Sequence, residues 1–329
     1  MKAVLIASVL LVALVLSIPL IFVAPSLDIP TPSPPAPSET AAVTPQITIT
    51  IPKPSPFEAV QAPATEVADR AVIALSRRGE IISLSMKDYL AGVVAAEMPA
   101  SFNLEALKAQ AVAARTYALY KISKKYHSRE GFDLCDDYGC CSAYLGLTEL
   151  KEKWGGEYER YIAKIRSAVE TTDGLYLTWA GEPILAVFHS SSYGKTEGSE
   201  NVWISPLPYL VPVNSPETPE RVSNLLSTVA ISAEDYRATV LGKYPGASLS
   251  GEPGRWISDL TYTESGRVKS LKIGGVIISG SDFRVLFGLR STAFSFEYDG
   301  EAFVFSVAGY GHGVGMSQYG ANLLAEDGA

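Results

Sequence analysis

The stretch Tyr89-Leu-Ala-Gly-Val-Val-Ala-Ala-Glu97-Met-Pro99 sets one carboxylate among apolar residues and then stops at a proline. Leu90, Val93, Val94 and Glu97 fall at i, i+3, i+4 and i+7, so on a helix the acid shares the buried stripe. Burial disfavours the ionised form and raises a carboxyl pKa from about 4.3 toward the range in which it donates a proton at neutral pH. Glu97 is therefore the candidate general acid. The competing reading is a glutamate at a helix end that faces solvent or caps a neighbouring segment.

The chain has three histidines and three cysteines, each in its own local signature. His127 precedes Cys135, Cys140 and Cys141. His189 opens His-Ser-Ser-Ser-Tyr-Gly-Lys-Thr-Glu197, and His312 lies inside Gly309-Tyr-Gly-His-Gly-Val-Gly-Met-Ser-Gln-Tyr-Gly320. A histidine with nearby cysteines offers the nitrogen and sulfur ligands that Zn²⁺ prefers. In an oxidising compartment the same thiols would form one disulfide, Cys135 with Cys140 or Cys141, and leave an odd thiol. Spacing leaves both open. The glycine-rich segment lacks the Gly-Lys-Ser/Thr ending of a phosphate loop and does not fit the dinucleotide pattern, so it is not a nucleotide site. Its glycines let backbone approach a ligand, while Ser317, Gln318 and Tyr319 offer hydrogen bonds.

The elements that must hold these residues follow from local patterns. Ala71–Leu75 and Ile81–Leu84 read as strands. Ser85 caps a helix from Met86 that carries Glu97, with Asp88 in its first turn. Asn103 caps a longer helix reaching about Tyr126, with Leu104, Leu107, Ala111, Ala114, Ala118 and Ile122 as its apolar stripe. A third helix is predicted over Glu149–Thr172, then strands at Leu175–Thr178 and Ile184–His189. Residues 216–254 are irregular apart from helical signals near Ser232–Leu241, and strand alternation returns at Val268–Ile278 and Phe294–Phe305. The order of elements predicts an α+β fold.

Before this domain, residues 3–24 carry no charge and are long enough to cross a bilayer core, which favours an uncleaved anchor over a signal peptide. Lys2 on the cytoplasmic side places the rest outside the cytoplasm. Residues 25–65 are rich in Pro, Thr and Ser and read as a tether without a core. The expected organisation is thus an anchor over 1–24, a linker over 25–65 and a single mixed helix-and-strand catalytic domain over 66–329. With 47% hydrophobic residues the chain can build a core, and its net charge of −8 argues against a nucleic-acid partner.

Taken together, Tyr89–Pro99, Glu105–Tyr117, Phe188–Glu197 and Gly309–Gln318 resemble the stage II sporulation protein D family, a lytic transglycosylase domain also found in amidase-enhancer proteins. The resemblance covers roughly Met86 to Ala321. It implies a single-pass membrane protein whose outer domain cleaves the β-1,4 bond between N-acetylmuramic acid and N-acetylglucosamine in peptidoglycan strands, leaving 1,6-anhydro ends. Glu97 falls on the family's catalytic acid. Arg115, His189, Ser191, Tyr193, His312 and Gln318 are expected to line the cleft and bind substrate. The family's zinc, held by a histidine and two cysteines, maps onto His127, Cys135 and Cys141, with Cys140 able to replace its neighbour; no organic cofactor is expected. The implied setting is wall remodelling, including engulfment in sporulation, with a cell-wall amidase as partner; a non-catalytic enhancer of such an amidase is the alternative. Family members continue past the glycine-rich motif into a helix and a tyrosine-rich end, whereas this chain stops at Ala329, so a shortened C-terminus is expected.

Overall fold

The computed structural model describes residues 72–203 and 205–329, all within one compact unit. The predicted anchor, the linker and the start of the domain lie outside the described residues. Among the described residues no helix is long and apolar enough to cross a membrane. The architecture is mixed helix and strand, in keeping with α+β.

Strands β1 (Val72–Arg77) and β2 (Glu80–Ser85) form an antiparallel hairpin, with Val72 opposite Ser85 and Arg77 opposite Glu80. Both turn residues, Arg78 and Gly79, have positive φ (51° and 85°), the backbone that lets a two-residue turn follow the strand twist. β3 (Leu134–Cys135) adds a parallel partner to β1, Leu134 opposite Leu75. Ser85 then caps α1 (Met86–Glu97), its hydroxyl accepting the Asp88 N–H at 3.0 Å. The helix stops because Pro99 bars its predecessor from helical backbone; Met98 is extended, at φ −123° and ψ 140°.

Asn103 caps α2 (Leu104–Ser123), whose side-chain oxygen accepts the Glu105 N–H. Leu107, Ala111, Ala114, Ala118 and Ile122 are buried as the stripe requires, and Leu104 is half-buried against them. The predicted third helix is two: α3 (Leu147–Trp154) and α4 (Tyr158–Thr171). Gly155, at φ 50°, ends the first, and one 3₁₀ turn joins them. Helices α1, α2 and α4 pack on one another and on the β1 hairpin to make the first core.

The predicted strands at 175–178 and 184–189 shrink to a short hairpin, β4 (Thr178–Trp179) with β5 (Glu182–Pro183), and to β6 (Phe188–His189). Pro183 has no N–H with which to continue a ladder. The second core belongs to β7 (Leu226–Ser232), α5 (Ala233–Lys243), β8 (Ile257–Tyr262), β9 (Val268–Ile273), β10 (Val276–Ser279), α6 (Gly280–Leu286), β11 (Phe294–Tyr298) and β12 (Ala302–Ala308). They form two three-stranded antiparallel sheets, β10-β9-β8 and β11-β12-β7. β7 lies in the stretch that reads as irregular in sequence; its residues alternate only between exposed and half-buried, so the apolar signal is weak. Tyr236, Phe283, Phe303 and Phe305 are fully buried between the sheets and helices.

After the second core the chain returns to the first. β13 (Met316–Ser317) pairs in parallel with β6, Ser317 opposite His189, and Ser317 caps α7 (Gln318–Glu326). A helix therefore does follow the glycine-rich motif, and it packs on α2.

Candidate active site

Glu97 closes α1 at the edge of a cleft of about 620 Å³. His189, Ser191, His312 and Gln318 line the same cleft, as do Tyr138, Asn224, Arg290 and Tyr310. Among the described residues lining it, Glu97 is the one carboxylate. Its Oε1 accepts the Ala143 N–H at 3.0 Å. Burial raises the Glu97 pKa above its ordinary value, and the bond from Ala143, which favours the ionised form, offsets that only in part.

The helix end that carries Glu97 is fixed by donors to its carbonyls, which lack partners within the helix. Lys153 Nζ donates to Ala95 O at 3.0 Å, and past the helix Lys164 Nζ donates to Ala100 O at 3.3 Å. Gln318 Nε2 donates to Glu97 O at 3.1 Å and to Gln110 Oε1 at 3.3 Å. Gln318 thus touches the acid's own peptide.

His189 is buried with both ring nitrogens engaged: Nδ1 lies 3.1 Å from Val314 O and Nε2 lies 2.6 Å from Ser192 Oγ. His312 Nδ1 accepts the Val314 N–H at 3.1 Å. Desolvation is the main cause that pushes the His189 pKa down to about 3 and that of His312 down to about 4. Both rings are neutral at physiological pH. Ser191 is held at the cleft by reciprocal backbone bonds with Tyr310.

Two expected cleft residues sit elsewhere. Arg115 is 3% exposed, and its guanidinium donates to the carbonyls of Thr172 and Leu175 beyond the end of α4. It faces a helix terminus because four carbonyls there have no helical partner, and Asp173 adds an ion pair at 3.4 Å. Tyr193 is half exposed and borders a separate groove with Phe294 and Ser306. No sequence pattern marks Asn224 or Arg290, whereas Tyr310 lies inside the glycine-rich motif.

Behind the acid, the His127 ring and the sulfurs of Cys135, Cys140 and Cys141 offer ligand atoms that all lie within 4.8 Å of one another. His127 Nε2 is 3.3 Å from Cys140 Sγ and 3.4 Å from Cys141 Sγ. The cysteines stand as free thiols, not as a disulfide with one left over, and Cys140 joins the set expected from His127, Cys135 and Cys141. Three thiols and an imidazole make a four-ligand group that could hold a metal ion. Glu130 Oε2 lies 3.6 Å from His127 Nδ1, on the side of the ring away from the sulfurs. Two residues after Cys141 comes Ala143, whose N–H holds Glu97.

Residues 75–179 match the Stage II sporulation protein (SpoIID) family model. Stage II sporulation protein D of Bacillus subtilis is 38% identical over 248 residues, 75% of this chain and 70% of that protein. Its namesake from Bacillus amyloliquefaciens is 38% identical over 249 residues, with the same shares of each chain. The amidase enhancer of Bacillus subtilis is 29% identical over 286 residues, 73% of this chain and 38% of that protein. On this likeness the chain belongs to the stage II sporulation protein D family.

Proposed function

We propose that the protein is a peptidoglycan lytic transglycosylase, held at the membrane by residues 3–24 with its domain outside the cytoplasm, and that it remodels the wall in sporulation. The observation that carries this reading is the single carboxyl group in the cleft, half-buried with a raised pKa. Hydrolases of the usual retaining or inverting type need two carboxyls about 5 to 10 Å apart. Intramolecular attack needs one. Glu97 protonates the glycosidic oxygen as the bond from muramic acid C1 breaks. Its carboxylate then takes the proton from the C6 hydroxyl of the same sugar as O6 bonds to C1. The ring closes without water, and Glu97 ends protonated as it began. Because Ala143 occupies Oε1, Oε2 is the oxygen that carries the proton.

His127, Cys135, Cys140 and Cys141 would hold Zn²⁺, which favours such nitrogen and sulfur donors. A bound zinc there would tie together the loop that ends at Ala143 and take no part in bond cleavage. The test is mass spectrometry of glycan strands, with and without stem peptides, treated with the protein and with Glu97→Gln. Anhydromuramic ends from the parent alone support the reading; reducing ends refute it. A second reading, a non-catalytic partner of a wall amidase, draws on the likeness to the amidase enhancer. It predicts that intact strands bind without cleavage and that Glu97→Gln leaves stimulation of an added amidase unchanged.

A further inference from the structure

Arg267 stands just before β9, and its side chain is 1% exposed beside the wall of the cleft. Gly313 of the glycine-rich motif lies against it, so close that a Cβ there would come within 2.6 Å of the guanidinium carbon. Arg267 Nη2 donates to Ser192 Oγ at 3.3 Å, and that oxygen lies 2.6 Å from His189 Nε2. A guanidinium only donates. Ser192 Oγ accepts from Arg267, and because the Val314 carbonyl beside His189 Nδ1 can only accept, the neutral ring leaves Nε2 to take the Ser192 hydrogen. The His189 hydrogen must then sit on Nδ1, which donates to Val314 O at 3.1 Å. The N–H of the same Val314 donates to His312 Nδ1 at 3.1 Å, which leaves the His312 hydrogen on Nε2.

We infer that Arg267 is a positioning residue for the cleft: through Ser192, His189 and the Val314 peptide it fixes both imidazoles as neutral tautomers, with His312 as an uncharged Nε2–H donor in the wall. The functional meaning rests on the transglycosylase reading. A glycosidic bond breaks through an oxocarbenium-like state with positive charge at the sugar carbon, and an imidazolium beside it would oppose that charge. A neutral N–H binds a sugar oxygen without adding charge, and leaves Glu97 as the group that moves protons. The charges acting on the rings are His312 and Arg267 on His189, and Arg284 and Arg267 on His312, each lowering the ring's pKa, while Glu197 and Glu217 favour the charged form of Arg267.

Three histidines in the chain make ¹⁵N-histidine labelling of the full-length protein readable, with His312→Gln to assign one ring. The parent should carry hydrogen on His189 Nδ1 and His312 Nε2, with neither ring taking a second proton down to about pH 5. Ser192→Ala cuts the link by one oxygen, and Arg267→Met removes the donor and its charge. Both should shift the His189 ring nitrogens and lower kcat for strand cleavage about tenfold at unchanged KM, the order of one hydrogen bond. His312 hydrogen on Nδ1 in the parent, or ring signals unmoved in Ser192→Ala, would overturn the inference; Ser192→Ala decides alone if Arg267→Met does not fold. An inactive parent whose rings hold the expected states would refute the cleavage reading and uphold this one.

Discussion

Glu97 meets two opposed demands: burial makes it a better acid, and the Ala143 N–H keeps it aligned at the cost of some of that acidity shift. Removing the ionisable group should lower strand cleavage by about 10² to 10⁴. Its folded-state pKa is raised, so the stability it contributes is complete below the unfolded value and is lost as pH rises through the folded one. Glu97→Gln should therefore raise the melting temperature at neutral pH in calorimetry; a lower value would contradict the assigned burial. Cleavage should decline as pH rises through the same raised pKa. The buried imidazoles give the opposite dependence on acid. Their folded pKa values, about 3 for His189 and about 4 for His312, lie below the unfolded value, so their stability is present above that value and lost as pH falls. Urea unfolding at about pH 7 and about pH 5 should show a loss that His189→Gln reduces.

Secondary structure was legible where caps and prolines mark it. Ser85, Asn103 and Pro99 bound α1 and α2, and those helices stand where their signals put them. Glu97 was legible for the same reason, since helical phase alone set it on a buried stripe. Arg115 was not, because a helix places a residue on a face without saying whether that face meets a cleft or the end of another helix. Arg115→Met should cost about 2 to 3 kcal/mol by leaving buried carbonyls unpaired, with KM for glycan strands unchanged; a raised KM would return Arg115 to the cleft. Cys140 could not be separated from Cys141 by spacing, since only the fold turns both sulfurs toward His127. If the four residues hold zinc, Cys140→Ser should weaken binding of added Zn²⁺ at least tenfold in a competition assay with a chelator, and equal affinity would exclude it as a ligand. Gly92 marks the close approach of α1 to that loop: a Cβ there would come within 2.2 Å of the Tyr144 ring and 2.8 Å of Leu145 O. Gly92→Ala should destabilise by about 1 to 3 kcal/mol in urea unfolding.

Across the whole molecule the chain builds one core, then a second of sheets and two helices, and returns through the glycine-rich motif to the first. The cleft takes its acid from α1 and its far wall from Asn224 before β7, Arg290 between α6 and β11, and Tyr310 and His312 after β12. Their separation in sequence explains why Arg290 and Asn224 carried no signal of a site: each lies outside any recurring pattern, and only the fold brings it to the cleft. Strand cleavage in ¹⁸O-labelled water tests the account most directly. Closure of the ring by the sugar's own C6 hydroxyl predicts muramic ends without ¹⁸O, with the mass of the anhydro form, and no such product from Glu97→Gln. Reducing ends that carry ¹⁸O would show that water is the acceptor, and would contradict it.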